Sequence, residues 1–168
     1  MSIAIIIAGT KGFADYGMIK ETVLKYLGEH YINIDDVEII TGDAPGASYF
    51  GAQFAREYRL ALCQFYAMPE AYGEAADWVR NEQMAEYAAD RHGIVFAFWD
   101  GKSHGTKTML QLARRHNLEV HTLLYEGVPL TPDKMLEINA VVGTRPVQTN
   151  TADDFNELYD LDPSIRST

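Results

Sequence analysis

Ile3-Ala4-Ile5-Ile6-Ile7-Ala8-Gly9-Thr10-Lys11-Gly12 is the stretch on which the fold turns. An unbroken apolar run, β-branched at Ile3 and again at positions 5–7, suits a strand buried on both faces. Glycine, threonine and lysine then stop it within a residue. No basic segment precedes the run and polar residues follow it at once, so it reads as a first strand rather than a signal peptide.

Reading outward, strand and helix signals alternate. Asp15 can cap a helix through about residue 29, with Ile19, Val23, Leu24 and Leu27 on one face. A second strand is expected at 37–40, a turn-like loop at 41–46 and a helix at 47–58. A third strand follows at 61–66 and a loop at 69–73. Residues 75–91 read as a long helix with Trp78, Met84 and Tyr87 at helical spacing, closed by His92-Gly93 with the glycine as its C-terminal cap. The fourth strand, 94–99, is the most apolar segment, and is followed by a loop (100–105), a helix (106–116) and a fifth strand (119–125). This alternation predicts an α/β, Rossmann-like three-layer domain over residues 1–125, with a mostly parallel sheet of about five strands.

After Tyr125 the pattern weakens. Thr131-Pro132-Asp133 can begin a short helix through about residue 140, and the remainder has little periodicity. Residues 126–168 carry eight acidic and three basic side chains. They read as a short helical or irregular C-terminal extension, solvated or packed on a partner subunit.

Composition narrows the classes. Of 168 residues 47% are apolar, enough for a packed core, and the formal net charge is −10. That charge argues against nucleic acid and anionic membrane surfaces as partners. No apolar run approaches the roughly 18 residues of a membrane span. One cysteine, Cys63, lies in an apolar stretch, so it reads as a small buried residue; no disulfide framework exists, which fits a reducing, cytoplasmic compartment.

Ligands of open parallel sheets bind beyond the carboxyl ends of the strands, and three unusual loops belong there. They are Gly9-Thr10-Lys11-Gly12-Phe13-Ala14-Asp15-Tyr16, Gly42-Asp43-Ala44-Pro45-Gly46-Ala47-Ser48 and Asp100-Gly101-Lys102-Ser103-His104-Gly105-Thr106. Each runs into a predicted helix start. Glycine lets backbone N–H groups approach a phosphate, and free N–H groups at a helix N-terminus bind it. A tight strand-to-helix turn explains one such loop; three on one edge favour an anion site. Lys11, Lys102 and Lys107 lie at the same edge, and Arg80 can join them.

Other motifs fail. No Gly-x-Gly-x-x-Gly follows the first strand, and Gly101-Lys102-Ser103 lacks the earlier glycine of a P-loop because position 96 is Phe96. His30, His92, His116 and His121 fall at helix ends or turns and form no metal set; His104 alone is placed to meet a ligand. We expect no metal and no cofactor.

Taken together the loops resemble the SLOG superfamily, which joins the Smf/DprA and LOG proteins, and within it the stand-alone YspA-type branch. That branch begins with Gly-Ser-Arg-x-Phe-x-Asp-Tyr, here residues 9–16. Its Gly-Gly-Ala-x-Gly-Ala-Asp loop is similar to residues 42–48. Its Arg-Asn-x-x-Met helix is intact as Arg80-Asn81-Glu82-Gln83-Met84, followed by Asp90. Its Trp-Asp-Gly-x-Ser-x-Gly-Thr loop is intact from Trp99 to Thr106. The match covers about residues 3–124.

The resemblance implies a Rossmann-like fold that binds nucleotides or nucleotide-derived ligands, in a homodimer or higher homo-oligomer, with the long helix of Trp78 and Tyr87 as a candidate interface. With the loops, it places the ligand site on Gly9, Thr10, Lys11, Phe13, Gly42, Asp43, Gly46, Ala47, Arg80, Asn81, Asp100, Gly101, Ser103, Gly105 and Thr106. Phe13, Tyr16 or Trp99 are candidates to stack on a base. LOG relatives cleave the N-glycosidic bond of a nucleoside monophosphate with the glutamate of Gly-Gly-x-Gly-Thr-x-x-Glu. Here that position is Met109, which can neither stabilise an oxocarbenium ion nor activate water. Ser48 and Lys11 replace the family's aspartate and arginine, and Thr108 stands where branch members often carry aspartate.

The first expectation is therefore a sensor or sequestering protein for a nucleotide-derived ligand, such as an ADP-ribose-type signalling molecule, without efficient turnover. A nucleotide N-glycosidase is the alternative; it needs a carboxylate at the sugar, with Asp100 preferred over Asp15, Asp43 and Glu82. A partner-binding module acting through the acidic extension is the third.

Overall fold

The structure is a computed structural model that describes residues 2–125. The expected C-terminal helix and tail, residues 126–168, lie outside the described residues. Five strands form one parallel sheet in the order β3-β2-β1-β4-β5: β1 (Ile3–Gly9), β2 (Val37–Thr41), β3 (Ala61–Gln64), β4 (Ile94–Trp99) and β5 (Glu119–Leu124). The helices are α1 (Tyr16–Glu29), α2 (Ala47–Glu57), the single turn α3 (Pro69–Tyr72), α4 (Ala76–Ala89) and α5 (His104–Arg115).

The two-residue period of β1 divides the interior. Ile5 and Ile7 join the core beneath α1 and α2, with Ile19, Val23 and Phe54. Ala4, Ile6 and Ala8 join the core beneath α4 and α5, with Met84, Ala88, Met109 and Leu110. Ile5, Ile6 and Ile7 are each fully buried, so each contributes about 1.5–3 kcal/mol of transfer free energy. Helices on both faces of a parallel sheet make the three-layer α/β arrangement expected from the alternation.

The order matters more than the count. The chain moves outward from β1 to β2 and β3, then returns and continues outward on the other side through β4 and β5. The strand order therefore reverses between β1 and β4, where a crevice opens beyond the carboxyl ends of the strands.

Local differences have local causes. Residues 69–73, expected as loop, include α3, which carries Pro69 at its first turn, where its missing N–H costs nothing. The strand expected over 61–66 ends at Gln64, although Phe65 N–H still reaches Thr41 O at 2.9 Å. The long helix stops at Ala89 with Asp90 as its cap residue; the left-handed residue beyond it is His92, with φ of 51°, not Gly93. Gly93 is needed for space, because a Cβ there would stand 2.7 Å from Ala88 O. The last helix begins at His104, two residues before its expected start at 106, which places Gly105 and Thr106 inside its first turn.

Candidate functional site

Because β1, β2 and β4 are parallel, the three glycine loops emerge on one edge, and they touch. Thr10 N–H donates to Phe98 O at 3.0 Å, and Asp100 N–H donates to Thr10 Oγ1 at 3.1 Å, so the first and third loops are tied across the switch point. Gly9 sits so close to β4 that a Cβ would lie 2.1 Å from Phe98 O. Gly46 has φ of 81°, and a Cβ there would lie 2.3 Å from Thr10 O and 2.6 Å from Lys11 O. These two glycines let the loops meet; the contact they permit is between loops.

Between the loops and α4 lies a cleft of about 310 Å³. Gly9, Lys11, Gly42, Arg80, Asn81, Ser103, Gly105 and Thr106 all line it, as do Ala8, Ala44, Ser48, Asp77, Met84 and Met109. Of the residues expected from sequence, Thr10, Asp43, Gly46, Ala47, Asp100 and Gly101 do not line it.

Phe13 belongs elsewhere. It is 1% exposed, in the core beneath α1 and α2, with its ring 5.1 Å from those of Phe98 and Tyr125. An aromatic two residues beyond Lys11 is drawn inward by the apolar face of β4 rather than left to stack on a base. Trp99 is likewise 1% exposed, and its indole Nε1–H donates to Ser103 O at 2.9 Å, shaping the third loop. Tyr16 donates its hydroxyl to Glu57 and stacks on Phe50. None of the three lines the cleft.

The helix N-termini differ in a way that bears on ligands. Asp15 caps α1 by accepting Met18 N–H at 3.0 Å. Neither α2 nor α5 has a side-chain cap, and both send first-turn residues into the cleft: Ser48 from α2, Gly105 and Thr106 from α5. First-turn N–H groups left without a side-chain acceptor, with the positive ends of two helix dipoles, favour an anion there.

Two cations add to this. Arg80 comes from the middle of α4 with its side chain only 10% exposed; its Nη1 lies 2.6 Å from Asp43 Oδ1 and 3.4 Å from Asp77 Oδ1. Its guanidinium rests against Gly42, where a Cβ would stand 3.1 Å from Nε. Asn81, from the same helix, holds α5 by donating Nδ2–H to Gly105 O at 3.4 Å. Lys11 is exposed at the rim. The floor is apolar: Met84 and Met109 are each 1% exposed.

The carboxylates near the cleft are engaged. Asp100 Oδ1 accepts Lys102 N–H at 2.8 Å and Ser103 N–H at 2.7 Å, an aspartate turn that ends where α5 begins. Burial pushes its acidity down, but these backbone donors and Thr10 outweigh burial and hold its pKa below the ordinary aspartate value. Asp43 behaves alike: burial raises its pKa, but Arg80 and Ala67 N–H at 3.3 Å outweigh burial and hold it below the ordinary aspartate value. Asp100 is thus ionised and used by the backbone, and it does not line the cleft. Glu82 faces His116 at 2.9 Å. Asp15 serves α1.

His104 is exposed in the first turn of α5 and is not among the lining residues. His121 pairs with Glu119 at 2.9 Å, and His30 Nδ1 meets Tyr26 O at 2.9 Å. Among the described residues no group of three or more metal-ligating side chains occurs. Cys63 is half-buried, and burial, then Glu38, push its thiol pKa up. Trp78 and Tyr87, the candidate interface aromatics, pack against the core beneath α4 and α5, and Tyr87 donates its hydroxyl to Glu38 at 2.8 Å.

Sequence reasoning passed over Asp77 as a site residue. Its signal was available: Asp77, Arg80, Asn81 and Met84 follow the three- and four-residue spacing of one helix face, and all four line the cleft.

Comparison with family models, with curated proteins and with solved structures returned no match to this chain. No helix among the described residues is long and apolar enough to cross a membrane.

Proposed function

We propose that the cleft binds a nucleotide or nucleotide-derived phosphate ligand, and that the protein acts as a sensor or sequestering protein in the cytoplasm rather than as an enzyme. One observation carries this reading: two helix N-termini without side-chain caps converge with Arg80 and Lys11 on one cleft at the switch point of a parallel sheet. The apolar floor of Met84 and Met109 offers a surface for a base or sugar face, and thioethers adapt to irregular shapes. The SLOG resemblance adds the ligand class.

The preference for binding over turnover rests on the carboxylates. N-glycoside cleavage needs one at the anomeric carbon. Met109 occupies the position of the LOG glutamate, and it faces the cleft. Asp100 is spent on the turn before α5. Asp77, the one carboxylate in the lining among the described residues, is 60% exposed and paired with Arg80 at 3.4 Å. The SLOG resemblance also implies a homodimer or larger homo-oligomer.

The test is thermal unfolding of the full chain against nucleoside monophosphates, ADP-ribose, NAD, and cyclic and linear dinucleotides, with chromatography of each mixture after overnight incubation. A ligand at 100 times its Kd adds about 2.7 kcal/mol, several degrees in Tm. A shift with the compound recovered intact is expected. A released base makes the protein an enzyme, and no shift with any compound moves the reading to a partner-binding module.

A further inference from the structure

The charges around Arg80 carry a statement about what the cleft refuses. Among the described residues the charged side chains in its lining are Lys11, Arg80 and Asp77. Arg80, the buried one, is shared between two carboxylates: Asp43 at 2.6 Å outside the lining and Asp77 at 3.4 Å within it. Asp43 has a second task, accepting Ala67 N–H from the loop after β3, so its position is fixed by backbone as well as by the arginine. Asp77 has no such task. It stands in the first turn of α4, its side chain 60% exposed, and Arg80 one turn along the same helix is its ion-pair partner.

Lys11 and Arg80 are therefore balanced by Asp43 and Asp77. A polyphosphate brings three or four negative charges and needs several uncommitted cations or a metal to meet them. This cleft has its N–H groups, two helix dipoles and one cation, Lys11, that makes no ion pair among the described residues. Those suffice for one or two charges. A further charge in the cleft meets the repulsion of Asp77 in its lining.

We infer that Asp77 is a specificity-determining residue: its carboxylate beside Arg80 tunes the cleft to nucleotides of low charge, such as phosphodiesters and monophosphates, and against di- and triphosphates. This rests on the reading of the cleft as a nucleotide site, and it makes a prediction that reading does not. Repulsion by a fixed carboxylate scales with ligand charge, whereas loss of a contact or of helix stability does not.

The experiment measures Kd for the cyclic 3′,5′-monophosphate, the 5′-monophosphate and the 5′-triphosphate of adenosine, guanosine, cytidine and uridine. EDTA is present, so that no divalent cation neutralises the phosphates. Wild type, Asp77→Asn and Asp77→Glu are compared, each checked for its Tm. At the rim of a solvated cleft, removing the carboxylate is worth about threefold per ligand charge. Asp77→Asn is therefore expected to tighten the cyclic monophosphate about threefold and the triphosphate by well over tenfold, while Asp77→Glu keeps the wild-type order. Binding that changes by one common factor across the series, or a wild type that already prefers triphosphates, overturns the role of Asp77 and leaves the nucleotide site standing. Absence of binding by every compound to all three proteins overturns the site itself and the specificity with it.

Discussion

Arg80 Nη1 lies 2.6 Å from Asp43 Oδ1, joining the middle of α4 to the loop after β2. That pair fixes a cation at the cleft wall. Arg80→Ala removes it and is expected to weaken binding of a nucleoside monophosphate by about tenfold to a hundredfold, since charge-assisted bonds are worth roughly 1.5–3 kcal/mol. Arg80→Lys keeps the charge but loses the planar fork, so it recovers part of the affinity. Asp43 is about a third exposed, so the cost of leaving it unpaired is about 1 kcal/mol, and Tm in the absence of ligand reports it.

Gly46→Ala separates the loops. With φ of 81° and Thr10 O at 2.3 Å from the new methyl, alanine is both strained and obstructed. Urea unfolding is expected to lose at least about 1–3 kcal/mol. Stability equal to wild type contradicts the packing of the second loop on the first.

Asp100 gives the fold a pH dependence of known sign. Burial raises its pKa, but Lys102, Ser103 and Thr10 bring it below the ordinary value in the folded state. A depressed folded pKa contributes stability that is present above the unfolded pKa and is lost as the pH falls through the folded one. Wild type should therefore lose stability between about pH 5 and pH 2 faster than Asp100→Asn, by urea unfolding at each pH. Parallel curves contradict the turn described here. At neutral pH the same variant should leave nucleotides as intact as wild type does.

Phe13 separates core from site. Phe13→Ala is expected to cost about 3–5 kcal/mol, as large-to-small core changes do, and Phe13→Leu about 1 kcal/mol. Phe13→Leu should bind nucleotides as wild type does. A large fall in its affinity at unchanged Tm makes the ring a ligand contact after all.

The fold was legible because β1 and β4 advertise burial on both faces: their apolar runs admit no alternation, and glycine loops end each at the same edge. The lining was legible where backbone chemistry dictated it, at Gly9, Gly42 and Gly105, and at Arg80 through the resemblance. It was not legible for Phe13, because a residue's direction out of a loop depends on which sheet face it meets, and the sequence does not state that. Nor was the fate of Asp100 decided in advance. A carboxylate at a strand end more often caps a loop or helix than serves catalysis, and the two N–H groups at 2.7 and 2.8 Å assign Asp100 to the turn. Asp77 was missed because its partner lies on another motif's arginine, three residues along α4.

The most direct test of the cleft is Gly105→Val. A Cβ at Gly105 meets nothing within 4 Å, and the residue lines the cleft in the first turn of α5, so valine should fill ligand space without disturbing the core. Calorimetric titration of adenosine, guanosine, cytidine and uridine 5′-monophosphates into wild type and Gly105→Val, with Tm recorded for both, decides it. Tm values within a few degrees and affinity reduced at least about tenfold in the variant are expected. Unchanged affinity in a folded Gly105→Val protein places the ligand elsewhere and contradicts the account.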